Sequence, residues 1–172
     1  IRSGERLDFQ GIDVVYHLAG IANDPMADLD QALSWEIASL GTLMVLRAAK
    51  EAGVQQFVFA SSGSVYGISD APNVTESHKL RPISLYNKTK MVAERIVQSF
   101  DSDFKVVVVR PGTVCGLSKR MRLDLAVNAL TYGALSKGKI VVDGGSQVRP
   151  HVHIDDLLSA YIHLLRPSVP SG

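Results

Sequence analysis

Three short apolar runs, separated by longer stretches with helical spacing, constrain this 172-residue chain more than any other feature. They are Ile12–Leu18 (IDVVYHL), Gln56–Ala60 (QFVFA) and Lys105–Val109 (KVVVV). Each is too short for a buried helix, and β-branched or aromatic residues dominate them. Runs without polar alternation belong to strands buried on both faces, as in parallel sheets. Between the first two, Pro25 with Asp24, Asp28 and Asp30 suits a helix start. Apolar spacing continues from there through Leu33, Ile37 and Leu40, and Thr42–Ala52 extends it to a stop at Gly53. Met91–Phe100, Asp124–Leu135 and Ile154–Leu165 read as further helices, and Ile140–Val142 as a short strand. Val65–Pro82 carries turn signals and reads as an irregular loop, while the polar stretch Ile1–Gln10 shows no element. Strands alternating with helices predict an α/β fold with a doubly wound parallel sheet.

Charge and composition narrow the function classes. The net charge is +1 and no basic block stands out, which argues against a nucleic-acid partner. Apolar stretches such as Val106–Val109 are far too short to span a bilayer, so no membrane partner is expected. No signal-peptide pattern is visible, and the single Cys115 has no partner for an internal disulfide, which points to a reducing, cytoplasmic setting.

The chemistry centres on Tyr86-Asn87-Lys88-Thr89-Lys90, at the opening of a predicted helix. Positions i and i+4 share a helix face, so the Tyr86 phenol and the Lys90 ammonium point into the same space. A neighbouring ammonium favours the phenolate and makes the tyrosine a usable proton acceptor near neutral pH. Tyr-x-x-x-Lys recurs by chance, so its weight comes from its surroundings. Ser62 lies at the end of a predicted strand, 24 residues before Tyr86. Ser61 and Ser64 compete with it, although both also suit a turn.

In chain order the sequence carries His17-Leu18-Ala19-Gly20, Gly41-Thr42, Ser61-Ser62-Gly63-Ser64-Val65-Tyr66-Gly67, Tyr86-x-x-x-Lys90, Arg110-Pro111, and Arg149-Pro150-His151-Val152-His153-Ile154-Asp155-Asp156. With these pieces the chain resembles the extended short-chain dehydrogenase/reductase superfamily, in its nucleotide-sugar epimerase/dehydratase branch. The segment from Ser118 to Asp124, with Asn128, is similar to a subset of nucleotide-sugar members. The resemblance implies a partial NAD(P)-binding Rossmann domain over residues 1–112. It implies the remaining Rossmann elements and a partial substrate-binding region over 113–172.

It also implies roles. Tyr86 takes the proton from a sugar hydroxyl at C4, Lys90 stabilises the phenolate and holds the nicotinamide ribose, and Ser62 polarises the same sugar oxygen. Leu18, Ala19, Gly20, Ser61 and Pro111 join Tyr86 and Lys90 along the cofactor, NAD with NADP open. Ser62, Ser64, Thr113, Arg122 and Arg149 contact the nucleotide-sugar substrate; Arg149 suits the diphosphate because a guanidinium matches phosphate geometry. The expected activity is 4-epimerisation through a 4-keto sugar. A 4-dehydrogenase or 4-ketoreductase, or a non-catalytic cofactor-binding member, is the alternative. Dehydratases of the branch carry an Asp-Glu pair where this chain has Gly63 and Ser64, which argues against elimination of water. Ala38 and Thr113 stand where some members carry asparagine. Many relatives form homodimers, and the apolar face of Met91–Phe100 permits that.

Three further expectations concern what is missing or incidental. No G-x-x-G-x-x-G occurs, so the chain is expected to begin about halfway into the dinucleotide fold and by itself to bind NAD poorly; calorimetry reads this directly. His151 and His153 lack companions for a metal site, so no metal is expected. His17 reads as a core histidine, and Asp156 as a residue that caps or orients the last helix.

Overall fold

The computed structural model describes residues 7–166 and 170–172. The featureless stretch Ile1–Gln10 lies outside the described residues as far as residue 6. The chain divides into two compact units. One runs to Arg110 and includes the final residues of the chain; the other is Pro111–Pro167.

The first unit holds a parallel sheet of β1 (Val14–His17), β2 (Gln56–Ala60) and β3 (Lys105–Val109), in that order. Register runs from Val14 opposite Gln56 and from Gln56 opposite Lys105. The outer edge of β3 is met by the chain's last residue: Val108 N–H donates to the Gly172 carbonyl (2.7 Å), and Gly172 N–H to Val106 (3.0 Å). The three apolar runs therefore form the parallel sheet that their composition predicts.

The stretch after β1 is less regular than its spacing predicts. Helix α1 (Asp24–Leu29) starts where Asn23 Oδ1 accepts from Met26 N–H at 2.9 Å. It stops at Asp30, whose extended backbone (φ −145°) breaks the helix and whose carboxylate caps α2 (Gln31–Trp35) through Leu33 N–H. The chain then widens into π-helical turns over Glu36–Gly41 before α3 (Thr42–Glu51). The spacing of Leu33, Ile37 and Leu40 fits an unbroken α-helix and so gives no sign of the widening. Gly53, at φ +77°, lies just past the end of α3 as expected.

Helix α4 (Leu85–Gln98) begins one residue before Tyr86 and is capped by Ser84 Oγ on Asn87 N–H (3.2 Å). Its inner face, Ala93 and Val97, packs with Val45, Leu46 and Ala49 of α3 onto Val15, Phe57, Phe59 and Val106. Burying a side chain such as Phe57 contributes about 1.5–3 kcal/mol. The stacked rings of Phe57 and Phe104 close the far end of this core.

The second unit pairs β4 (Thr113–Cys115) with β5 (His151–His153) in parallel, and carries α5 (Ala126–Lys137) and α6 (Ile154–His163). Ile140–Val142 is not a strand: the segment is exposed and irregular. Branched side chains favour extended backbone, but a strand needs a neighbour to bond, and here β4 and β5 bond each other. The cap of α6 is also not Asp156. His153 Nδ1 accepts from Asp155 N–H (3.3 Å), and Asp156 sits inside the first turn.

His17 points into the core of the first unit, between Phe57 and Phe59 with ring centroids 5.8 Å away in each case. Its Nε2 bonds Thr42 Oγ1 at 3.1 Å. Burial first, and the Lys90 charge second, push its pKa down to about 4. The unfolded chain therefore binds a proton near pH 6.5 that the folded protein refuses until about pH 4. Stability is fully present above pH 6.5 and falls as pH drops through that window, by about 3 kcal/mol in total. Urea denaturation between pH 7 and pH 4 should show this loss, and His17→Gln should flatten it.

Candidate active site

The site forms where β2 ends. Ser62 follows the strand with extended backbone and caps a 3₁₀ turn, Gly63–Tyr66, by accepting from Ser64 N–H at 3.3 Å. Ser62 Oγ also lies 2.7 Å from Ser64 Oγ, and Ser64 Oγ donates to Asn87 Oδ1 at 2.5 Å. One turn further along α4, Lys90 Nζ donates to the carbonyl of Ala60 at 2.8 Å. Two hydrogen bonds thus clamp the start of α4, which carries Tyr86, against the end of β2, which carries Ser62.

Lys90 Nζ lies 5.1 Å from the Phe59 ring centroid and 6.0 Å from that of Tyr86. The second distance is at the outer limit of a cation–π contact, close enough for the charge to act on the phenol. Burial lowers the lysine's pKa to about 8, with Glu94 opposing the shift. The ammonium thus remains charged at neutral pH but is poorly hydrated, which strengthens its field on neighbouring groups.

Ala19 and Gly20, at the end of β1, line a cleft with Ser34, Ala38, Thr42 and Lys90. Its walls are mostly small side chains, and Lys90 is its one cation. A Cβ added at Gly20 would stand 3.6 Å from Lys90 Nζ. Leu18 is exposed beside it.

The serine cluster divides its labour. Ser61 is buried and its hydroxyl donates to Glu94 Oε1 inside the protein, so its side chain is a structural anchor. Glu94 in turn receives Arg110 through Nε (3.0 Å) and Nη2 (2.7 Å). Arg110 Nη1 donates to the Tyr66 hydroxyl at 2.9 Å, and the guanidinium lies 5.2 Å from that ring's centroid. The paired hydrogen bonds to Glu94 hold the guanidinium charged more firmly than usual. Asn87, Glu94 and Tyr66 are members of this site that motif reading left unassigned. The one available signal was a carboxylate, Glu94, beside the apolar Ala93 and Val97 positions of α4.

Gly67 ends the turn at φ +72°, ψ −145°. A Cβ there would sit 2.2 Å from the Arg81 carbonyl oxygen. Gly67→Ala should cost about 1–3 kcal/mol or more, because backbone has to move on both sides of the contact. A denaturation midpoint equal to wild type would contradict this.

The remaining residues assigned from sequence belong to the second unit. Thr113 opens β4, its N–H bonded to the Pro150 carbonyl (2.9 Å), so Thr113 and the exposed Arg149 are held near one another. Pro111 is half-buried at the start of that unit. Arg122 is engaged by Asp124 through Nη2 and Oδ2 at 2.5 Å, and that bond lowers the carboxyl's pKa. A diphosphate reaching Arg122 has to displace this carboxylate. Asn128 is buried and bridges Gly116 N–H (3.3 Å) and the Arg122 carbonyl (3.1 Å), fixing the intervening loop. Among the described residues no cluster of histidine, cysteine and acidic side chains suits a metal, and no helix is long and apolar enough to cross a membrane.

Comparison with known proteins places these features in context. The family model described as NAD dependent epimerase/dehydratase matches residues 4–171. An uncharacterised UDP-glucose epimerase of Bacillus subtilis (strain 168) is 31% identical over 160 residues, which cover 91% of this chain and 50% of that protein. A UDP-glucose 4-epimerase of Lactobacillus helveticus is 29% identical, with 90% and 52% covered. Among solved structures, UDP-glucuronic acid 4-epimerase from Bacillus cereus, in complex with UDP-glucuronic acid and NAD, superposes with a TM-score of 0.83 at 28% identity, covering 95% of this chain and 52% of its own. A NAD-dependent NDP-hexosamine 5,6-dehydratase of tunicamycin biosynthesis gives 0.86 at 25%, covering 96% and 56%. The chain spans about half the length of the curated relatives it matches.

Proposed function

The chain belongs to the NAD dependent epimerase/dehydratase family, and we propose that the protein carrying it is a nucleotide-sugar 4-epimerase. The observation that carries this reading is the clamp of α4 on β2, which gathers Ser62, Tyr86 and Lys90 at one end of the sheet.

The cofactor we assign is NAD: the small side chains at Ala19, Gly20 and Ala38 leave the backbone approachable beside Lys90, and the half-buried Lys90 ammonium supplies donors for ribose hydroxyls. When bound, NAD supplies the acceptor and donor of a hydride at the sugar carbon. All proton traffic belongs to the protein. The Tyr86 oxygen takes the proton of the C4 hydroxyl, and the Lys90 charge lowers the cost of the phenolate. Ser62 hydrogen-bonds the same sugar oxygen and gains strength as that oxygen becomes a carbonyl. Return of the proton from Tyr86 to a sugar presenting its other face completes an epimerisation.

Ser64 occupies the place where elimination of water would call for a carboxylate, and its hydroxyl is bonded to Asn87. That supports epimerisation over dehydration. In this reading Thr113, Arg122 and Arg149 of the second unit hold the nucleotide diphosphate. On the same reading the protein is cytoplasmic and works as a homodimer, an association that sedimentation velocity reads. The deciding experiment gives the purified full-length protein UDP-glucose and UDP-glucuronic acid in separate reactions. An epimerase forms the 4-epimer over many turnovers without consuming NAD. Stoichiometric accumulation of NADH, with no epimer, would establish a dehydrogenase instead.

A further inference from the structure

We infer that the Asn87 side-chain amide, acting through Ser64, sets whether the Ser62 hydroxyl is free to donate to the sugar oxygen. The inference rests on the function proposed above and concerns the direction of a three-member hydrogen-bond chain. Its links are Ser62 Oγ to Ser64 Oγ at 2.7 Å and Ser64 Oγ to Asn87 Oδ1 at 2.5 Å. Asn87 is buried, one residue from Tyr86, and its backbone is fixed by the Ser84 cap. Each serine hydroxyl has a single proton, so the direction of one link dictates the next.

With the amide oxygen toward Ser64, as observed, the Ser64 proton goes to Asn87. Ser64 Oγ then accepts from Ser62, and the only Ser62 proton is committed away from the sugar. Ser62 also accepts the Ser64 N–H at 3.3 Å. In this state Ser62 offers the site only a lone pair, whereas the C4 hydroxyl, whose single proton goes to Tyr86, needs a donor. Turning the amide end for end brings its NH₂ to Ser64. Ser64 then donates to Ser62, and the Ser62 proton is released toward the site, which suits a 4-keto oxygen. The two ends of an amide have nearly equal size, so the turn needs little extra room. The sugar oxygen carries growing negative charge as it loses its proton to Tyr86 and becomes a carbonyl, so the turned amide is the working state and the arrangement seen in the structure is the resting one. Asn87 is thus a positioning residue, since it reaches the sugar only through two serines.

The test exploits an isostere that cannot turn. A carboxylate at position 87 accepts only, which locks the Ser62 proton onto Ser64. In the full-length enzyme, Asn87→Asp should lower kcat at least tenfold at neutral pH while KM for the nucleotide sugar stays within twofold. The deficit relative to wild type should shrink as pH falls and the new carboxyl gains a proton. Ser64→Ala cuts the chain, so Ser64→Ala/Asn87→Asp should turn over at the rate of Ser64→Ala alone. A rate for Asn87→Asp within twofold of wild type, or losses that multiply in the double variant, would overturn the inference. If the aspartate variant does not fold, Asn87→Leu serves: kcat should fall at constant KM, and an unchanged kcat refutes the role. A second readout needs no turnover. The ¹⁵N-labelled side-chain NH₂ resonances of Asn87 should shift in Ser64→Ala; identical resonances refute the chain. A wild type that interconverts no nucleotide sugar, yet whose Asn87 resonances follow Ser64, would remove the proposed epimerisation and support the hydrogen-bond chain.

Discussion

Tyr86→Phe is expected to lower turnover of the full-length enzyme by about 10²–10⁴-fold, the usual contribution of a positioned acid–base group. The substitution removes one oxygen and keeps the ring, so its placement beside Lys90 is preserved. KM for the nucleotide sugar should change little, because the proposed contacts of Thr113, Arg122 and Arg149 to the diphosphate are untouched. A loss confined to kcat identifies an interaction made in the transition state. Lys90→Met should lower kcat as well and also weaken NAD binding, since in the proposed mechanism the same ammonium serves the phenolate and the ribose. Near-normal turnover by Tyr86→Phe would remove Tyr86 from the chemistry and leave Ser62 as the only candidate at the end of β2.

The largest effect on stability is expected at Glu94, not at any residue the motifs name. Its side chain is 1% exposed and faces Arg110, which is 16% exposed. Glu94→Ala leaves a guanidinium with its main hydrogen bonds unmade, and breaking a buried pair from one side costs about 3–5 kcal/mol. Ser61 loses its acceptor in the same step, which loosens the end of β2 just before Ser62. The denaturation midpoint should fall accordingly. The double variant Glu94→Leu/Arg110→Met should recover much of the loss, because an apolar pair has no charge to leave stranded. If the double variant is as unstable as Glu94→Ala, the cost lies in packing and the ion pair is not its source.

Much of this was legible in the sequence. Gln56–Ala60 and Lys105–Val109 are the strands that their composition predicts, because an apolar run of that length can satisfy its backbone only in a buried sheet. Tyr86 and Lys90 share a helix face because four residues make about one turn. Elsewhere composition misleads. Ile140–Val142 has the right side chains for a strand but no partner strand, whereas the unpromising His151–His153 has β4 beside it. Asp30 looked like one more acidic residue in a continuous helix and is in fact where one helix ends and the next is capped.

What the sequence determined by itself is local: which runs are strands, which turn of α4 carries the tyrosine and lysine, and which residue types reach the end of β2. What only the tertiary structure decided is how hydrogen bonds are shared among them. Three adjacent or near-adjacent serines are equivalent as letters. Folding sends Ser61 inward to Glu94, 33 positions away, and ties Ser64 to Asn87, 23 positions away. Ser62 is left facing the site. The physical reason is that a hydroxyl's direction is set by the nearest acceptor in space, and for these residues that acceptor lies on a helix the strand meets only after the chain has folded.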